Sequence, residues 1–302
     1  MTSVDARGKL GPVLVTGATD GLGRATAVLF AERGYRVFAG GRSAERRAAL
    51  EEVARAKKLP LEVLELDVTS DASVESAIAE IERRAGSVAV LVNNAGIGIG
   101  AAMEEISLAD MRKQFETNVF GVLRVTQRVL PEMRKQRRGR VVNMSSIAGK
   151  MGTPIMGPYC ASKHALEAIS DSMRLELYPY NVNVILIEPG YIATNIGRNS
   201  TELSASYASS ASRSAYGPIY NAFRVSFGNS MKNSRTTPED CAAVILRAVE
   251  TERPRARYPV TPEAKMALRL RRLLSDRMLD RMLQKRMGLE DFRAEISRST
   301  QA

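Results

Sequence analysis

Tyr159 and Lys163 stand four residues apart in the run Tyr-Cys-Ala-Ser-Lys, which puts a phenol and an ammonium on one face of any helix that contains them. A free phenol, with a pKa near 10, is a poor proton donor or acceptor at pH 7. Lowering it by ~2–3 units takes about 3–4 kcal/mol of preferential phenolate stabilisation, which a close cation in a low-dielectric pocket can supply. Of the nine tyrosines, only Tyr159 has a lysine four residues on. Taken alone, the pair also fits a purely structural role. Rival chemistries are poorly equipped. His164 is the single histidine, Cys160 and Cys241 are the two cysteines, and no Gly-x-Ser-x-Gly elbow occurs, so neither a Ser-His-Asp triad nor a metal site is expected. His164 lies about 100° round the helix from Lys163 and reads as packing or interface, and Cys160 reads as helix core.

A second constellation is Thr16-Gly17-Ala-Thr19-Asp20-Gly21-Leu22-Gly23, which follows the apolar run Pro12 to Thr16 and opens a helical pattern. Glycines let a backbone turn sharply and approach a pyrophosphate, and a helix N-terminus offers N–H groups and positive dipole. The spacing is Gly-x3-Gly-x-Gly, and a plain tight turn is the competing reading. Arg42 ends the second apolar run, nineteen residues after Gly23. A carboxylate there would bind a ribose 2′-hydroxyl, whereas an arginine suits a 2′-phosphate, so NADP(H) is expected over NAD(H). Two features oppose this: Asp20 would repel an extra phosphate if it faced one, and Arg42 also reads as a solvated cation.

The elements that must position these groups follow a simple rhythm. Short apolar runs at 12–16, 35–40, 61–66, 88–92, 140–144 and 182–187 predict strands. Helical patterns lie between them at 22–33 and 44–57, in stretches ending near Arg84 and Lys135, and at 160–177. Continuous apolar strands alternating with helices indicate a parallel sheet covered on both faces. The expected fold is a doubly wound α/β, Rossmann-type single domain. Past Pro189, residues 195–237 are rich in Ser, Tyr and Asn with little periodicity, and are read as a lid over a pocket. Helix is expected again over 238–251 with Thr237 as its cap, and a last strand over 255–260. The catalytic domain is taken as 1–260, with a helical extension over 261–302.

With 302 residues, 44% hydrophobic and 25% charged, the chain can bury a large core. No apolar run approaches the ~18 residues needed to span a bilayer, and the first residues lack an apolar signal core. A soluble, cytoplasmic protein is expected. The net charge of +11 is local: residues 265–286 carry a net +6, and the other 280 share +5.

These pieces together resemble the short-chain dehydrogenase/reductase superfamily. Thr16 to Gly23, Asp67-Val68, Asn93-Asn94-Ala95-Gly96, Asn118, Ser146, Tyr159 with Lys163, and Pro189-Gly190 stand in family order. The run Met151 to Leu166 most resembles the hydroxysteroid and retinol dehydrogenase-like branch. The resemblance implies that Tyr159 is the general acid that protonates a carbonyl oxygen as hydride arrives, while Lys163 lowers its pKa and binds the nicotinamide ribose. It implies that Ser146 holds the substrate oxygen and steadies the developing oxyanion, with Ser145 pointing the other way in a structural role. Asn118 would hold a water linking Lys163 to solvent. Implied cofactor contacts come from Gly17, Thr19, Gly21, Leu22, Gly23, Arg42, Asp67, Val68, Asn94, Ala95, Gly96, Pro189, Gly190, Ile192 and Thr194. Asn93 and Gly96 would shape the floor under the cofactor. Asp67 equally suits a turn cap, and Thr194 a helix N-cap. A homodimer or homotetramer is also implied.

The expected activity is hydride transfer between NADP(H) and a ketone or secondary alcohol. Met151, Ile155, Met156, Tyr191 and Ile192 line either an apolar cavity or the core. In the first case the substrate is bulky and apolar: steroid-, retinoid- or acyl-like. A non-catalytic NADP-binding regulatory protein is the alternative. In the tail, Met266, Leu270, Leu274, Met278 and Met282 recur four apart among arginines, an amphipathic basic helix with a break near Ser275-Asp276. Docking on the protein's own surface and peripheral membrane contact through 263–287 both fit. Nucleic acid is not expected, because Phe292 is the only aromatic after Thr261.

Overall fold

The computed structural model describes residues 10–192, 203–290 and 292–293. Seven strands form one sheet: β1 (Val13–Val15), β2 (Val37–Gly41), β3 (Leu61–Glu65), β4 (Val90–Asn93), β5 (Gly139–Met144), β6 (Val182–Glu188) and β7 (Arg257–Pro259). Their order is β3-β2-β1-β4-β5-β6-β7, and every pairing is parallel. The order of the strands, though not their direction, reverses between β1 and β4. That is the switch point at which doubly wound folds open a crevice at the carboxyl ends of their strands.

The period-2 alternation of the strands sorts the core into two layers. Val13, Val15, Val90, Val92, Val142, Ile185 and Ile187 face one layer. There they meet Ala27 and Phe30 of α1 (Gly21–Glu32), Leu50 of α2 (Ala44–Ala56), and residues of the helix Pro238–Glu250. Leu14, Leu91, Val141 and Val184 face the other, against α3 (Asp71–Ala85), α5 (Gly121–Lys135) and α6 (Gly157–Glu176). Each such side chain contributes about 1.5–3 kcal/mol on full burial, so the central strands must be apolar on both faces. This is why they read as unbroken apolar runs. The helix before α5, α4 (Leu108–Phe115), joins it through one π-helical turn over Glu116–Phe120. Sequence periodicity did not reveal that turn.

The lid departs from expectation. Its sequence has little clear periodicity, but the described part is helical, with α7 (Ala205–Ser210) and α8 (Gly217–Asn233). Ile219, Phe223, Phe227 and Met231 are four apart, a stripe that carries the helical signal through a polar background. Hydroxyls complete the anchoring. Tyr207 donates to Asp110 at 2.6 Å, Tyr220 to Glu105 at 2.8 Å, and Tyr216 to Glu104. The next helix, α9 (Pro238–Glu250), begins with a capping box in which Thr237 and Asp240 satisfy each other's backbone amides. The tail forms α10 (Pro262–Leu273) and α11 (Asp276–Arg286), broken at Leu274-Ser275.

Candidate active site

The glycine turn is shaped first by contacts within the chain. Gly17 has φ +61° and Gly21 φ +49°, a region that favours glycine. A Cβ on Gly17 would sit 2.8 Å from the Ala95 Cα. On Gly23 it would sit 2.3 Å from both the Asn94 Nδ2 and the Gly17 carbonyl. Asn94 Nδ2 donates to the carbonyls of Thr16 and Gly17, both at 3.0 Å, and Thr16 Oγ1 accepts from the amides of Asn94 and Ala95 at 3.0 Å. Asn94 and Ala95 thus pin the turn to the end of β4. Thr19 packs on Gly41, where a Cβ would meet its methyl at 2.3 Å. The N-terminus of α1 therefore opens over the switch point between β1 and β4, with a tightly wound, side-chain-free approach. These features fit the pyrophosphate of a dinucleotide.

At the adenosine end, Asp20 does not stand free. It caps α1 through Gly21 N at 2.7 Å and pairs with Arg46 at 3.2 Å. Arg42 ends β2 and is mostly exposed, 3.8 Å from an Asp67 oxygen. The other Asp67 oxygen accepts from the amide and hydroxyl of Thr69, so Asp67 is a turn cap that also faces Arg42. Val68 is buried, its carbonyl accepts from Arg124 at 2.7 Å, and a Cβ on Gly121 would touch its methyl at 2.8 Å. Its side chain is therefore core. Leu22 and Ile192 likewise join the core layer under α1. Of the two readings of Ile192, cavity lining or core, the structure has the core. Thr194 lies outside the described residues.

The reactive end is built where β4, β5 and β6 terminate beside α6. Ser146 follows β5, its Oγ accepting from Ala148 N at 3.1 Å and lying 3.4 Å from the Pro189 carbonyl. Ser146 also favours ionisation of the Tyr159 phenol. Ser145 points inward and donates to buried Glu167 at 2.5 Å. Lys163 Nζ donates to the Met144 carbonyl at 2.7 Å and lies 5.6 Å from the centre of the Tyr159 ring. Asn118, fully buried in the π-helical turn, grips Ile97 by both its amide and its carbonyl at 2.9 Å and donates to Ser162 at 3.0 Å. A Cβ on Gly96 would face the Asn118 Oδ1 at 3.3 Å and Lys163 Nζ at 3.9 Å. Gly96 therefore keeps open the floor between them. Asn93 is buried lower down, donating to Thr126 and Asn143 at 2.9 Å. His164 is exposed, its Nδ1 2.8 Å from the Cys160 carbonyl.

Desolvation dominates the protonation balance. Burial pushes the Tyr159 phenol up to about 12, outweighing the opposite effect of Ser146. Burial also pulls Lys163 down to about 8, against the upward pull of Glu167. The amine alone does not acidify the phenol, because desolvation penalises phenolate and ammonium alike.

Two features went unread in the sequence. Tyr191, Phe223 and Phe227 form an aromatic wall with ring centres 5.7 and 5.5 Å apart, and Phe223 also packs on the cluster of Ile155, Ala102 and Tyr220. Ile155 holds φ +67° there, unusual for a β-branched residue. Behind Lys163, Glu167 accepts from Lys150 at 2.8 Å and Arg257 at 3.0 Å, and Arg257 reaches Glu188 at 3.5 Å. Scattered single charges across 107 residues of sequence left no local signal for this cluster.

The model of the short chain dehydrogenase family matches residues 12–204. The chain belongs to that family. This short-chain dehydrogenase is 39% identical over 207 residues to the 3-ketodihydrosphingosine reductase of Bacteroides thetaiotaomicron, spanning 67% of this chain and 73% of that protein. It is 34% identical over 280 residues to the NADPH-dependent 3-dehydrocapnine reductase of Ornithobacterium rhinotracheale, spanning 90% of this chain and 95% of that one. A short chain dehydrogenase/reductase from Burkholderia phymatum, solved in complex with NAD, superimposes with a TM-score of 0.75 at 25% identity, over 86% of this chain and 92% of its own. The protein is thus an oxidoreductase of the class that acts on CH–OH and C=O groups and uses a nicotinamide dinucleotide.

Proposed function

We propose that this short-chain dehydrogenase is an NADPH-dependent reductase of a bulky, apolar ketone carried on a lipid-like chain. The observation that carries the reading is the gathering of Ser146, Tyr159 and Lys163 at the carboxyl end of the sheet next to the glycine turn, with Lys163 Nζ 5.6 Å from the centre of the Tyr159 ring. In this arrangement Ser146 and Tyr159 receive the substrate oxygen, and Tyr159 delivers the proton as negative charge develops. Lys163, held by Met144, orients against the ribose and restores the proton. When bound, the dinucleotide supplies hydride; Gly17, Thr19, Gly21, Leu22 and Gly23 would hold its pyrophosphate, and Asn94, Ala95, Gly96, Pro189 and Gly190 its nicotinamide half.

Preference for NADPH is supported by Arg42 at the end of β2 and by the pairing of Asp20 with Arg46, which removes the expected repulsion of an added phosphate. No carboxylate follows Gly40-Gly41-Arg42-Ser43 at that strand end. The aromatic wall of Tyr191, Phe223 and Phe227 supports an apolar substrate, and the lipid ketones named for the two relatives are of that kind. The test is consumption of NADPH and of NADH against 3-ketodihydrosphingosine, steroid, retinoid and small aromatic carbonyls. Tyr159→Phe should bind NADPH normally while turnover falls roughly a hundredfold or more. Undiminished turnover would place the proton donor elsewhere.

A further inference from the structure

The tail is amphipathic twice over, and only one of its two faces is used within the molecule. Thr261 caps α10 and, with Ala264, lies against Gly190, where a Cβ would sit 2.4 Å from the Thr261 hydroxyl. On α11, Leu279 is buried and Arg286 reaches Ser230 of α8 at 3.4 Å; Met287, just beyond the helix, is also buried. The tail therefore docks on the catalytic domain, at the rim that holds Pro189-Gly190 and the lid.

The rest of the tail's surface is uncovered, opposite the docked face on α10 and beside it on α11. At about 100° per residue, Met266 and Leu273 lie some 200° and 180° round α10 from Ala264, and both are exposed, Leu273 by 80%. Arg269 falls between them on the same face. On α11, Met278 and Met282 lie one turn apart and exposed beside Lys285, with Arg277 and Arg281 further round. Arg269, Arg277, Arg281 and Lys285 make no ion pair among the described residues, although Arg271 pairs with Asp276 at 3.0 Å. Val225, on the adjoining lid helix α8, is also more than half exposed and next to Arg224. Exposed methionines and leucine between unpaired cations match one kind of surface: an apolar interior under a layer of negative charge. An acidic groove on a protein would satisfy the cations but has no need of the apolar stripe. A polynucleotide would gain from stacking, and the stripe carries no aromatic residue.

We infer that the exposed face of α10 and α11 docks on an anionic lipid bilayer, placing the rim of the active site at the membrane surface. No helix among the described residues is long and apolar enough to cross a membrane, so the contact is peripheral. The inference rests on the tail alone and not on the proposed activity, although it would bring a lipid-dissolved ketone to the site.

The chain has no tryptophan, so Met278→Trp gives a reporter without background. With vesicles of phosphatidylcholine containing about 30% phosphatidylserine, its emission should shift to the blue, and it should not shift with phosphatidylcholine alone. Co-sedimentation of the unaltered protein should follow the same pattern and weaken with salt. Each cation near the surface is worth about fivefold in binding. Replacing Arg269, Arg277, Arg281 and Lys285 together by glutamine should therefore cost a hundredfold or more. Met266→Ser with Leu273→Ser and Met282→Ser should weaken binding while circular dichroism and NADPH affinity stay unchanged. Equal binding to both vesicle types, or binding to neither, would overturn the inference. So would a change in oligomeric mass on the serine substitutions, which would make the face a contact between copies of the chain. Binding of duplex DNA that the serine substitutions leave intact would overturn it as well.

Discussion

Glu188 offers the sharpest quantitative test of the buried charges behind the site. It is 2% exposed at the end of β6, and its Oε1 has no hydrogen-bond partner among the described residues. Arg257 lies 3.5 Å away, but Glu167 takes the better geometry at 3.0 Å. Burial, then the negative charge of Glu167, pushes the Glu188 carboxyl from its ordinary 4.5 up to about 7. At 1.36 kcal/mol per pH unit, that rise corresponds to about 3 kcal/mol of folded-state destabilisation when Glu188 is ionised. The sign follows from proton counting. Between 4.5 and about 7 the folded protein holds a proton that the unfolded chain has lost, so stability falls as pH rises through that window and levels off above it. Glu188→Gln removes the charge and adds an amide that can donate to Glu167. The variant should be more stable than the parent above pH 7 by up to about 3 kcal/mol, or roughly 5–10 °C in Tm. The difference should shrink to near zero as pH falls to 4.5. Thermal denaturation of both proteins across that range reads it directly. A variant less stable than the parent above pH 7, or a difference that does not change with pH, would show that Arg257 neutralises Glu188 and that the reasoning is wrong.

Two further outcomes follow from the cofactor end. Arg42→Ala should weaken NADPH roughly ten- to a hundredfold, the worth of one hydrogen bond to a charged group, and leave NADH unchanged in fluorescence titration; equal losses would make Arg42 a general surface cation. Gly23→Ala should lose dinucleotide binding and about 1–3 kcal/mol of stability, because its Cβ meets Asn94 and the Gly17 carbonyl at 2.3 Å. Gly152→Ala, with nothing within 4 Å, should change neither, as calorimetry would show.

Much of this was legible in the chain because each local signal had one physical cause. Strands buried on both faces must be apolar throughout, and Val13 to Val15, Val90 to Val92 and Val184 to Ile187 are. A helix that starts under a tight turn needs its glycines, and Gly17 and Gly23 would collide with Asn94 and Ala95 if they bore side chains. What stayed hidden depends on partners far apart in sequence. Helices α7 and α8 are held by tyrosines that bond to Glu104, Glu105 and Asp110, more than 90 residues away. The cluster of Lys150, Glu167, Glu188 and Arg257 comes together only because β6 and β7 are neighbours beside α6. Ile192 suits a cavity wall or the core equally in sequence, and the chain turns its side chain into the core under α1. Sequence spacing located the phenol and the amine, but not the balance between desolvation and charge.

That balance carries the last prediction. A phenol held at about 12 keeps its proton at neutral pH, as a donor to a forming alkoxide requires. An alkoxide's conjugate acid is about as weak as water and much weaker than a phenol, so transfer from Tyr159 is downhill. The reverse reaction needs the phenolate, which burial makes scarce. Lys163 does not cure this, since its own charge is strained by the same burial. A further cation close to the ring would, because one at ~4–6 Å favours the ionised form by 1–3 pH units. The oxidised dinucleotide is such a cation and the reduced one is not. Near-ultraviolet difference titration between the parent and Tyr159→Phe should therefore show no Tyr159 phenolate below about pH 10 in the free protein. Adding the oxidised cofactor should bring the signal down by at least one pH unit, and adding the reduced cofactor should not. A phenolate already present near neutral pH in the free protein would mean that Lys163 overcomes burial unaided, and that readiness for proton transfer does not depend on which cofactor is bound.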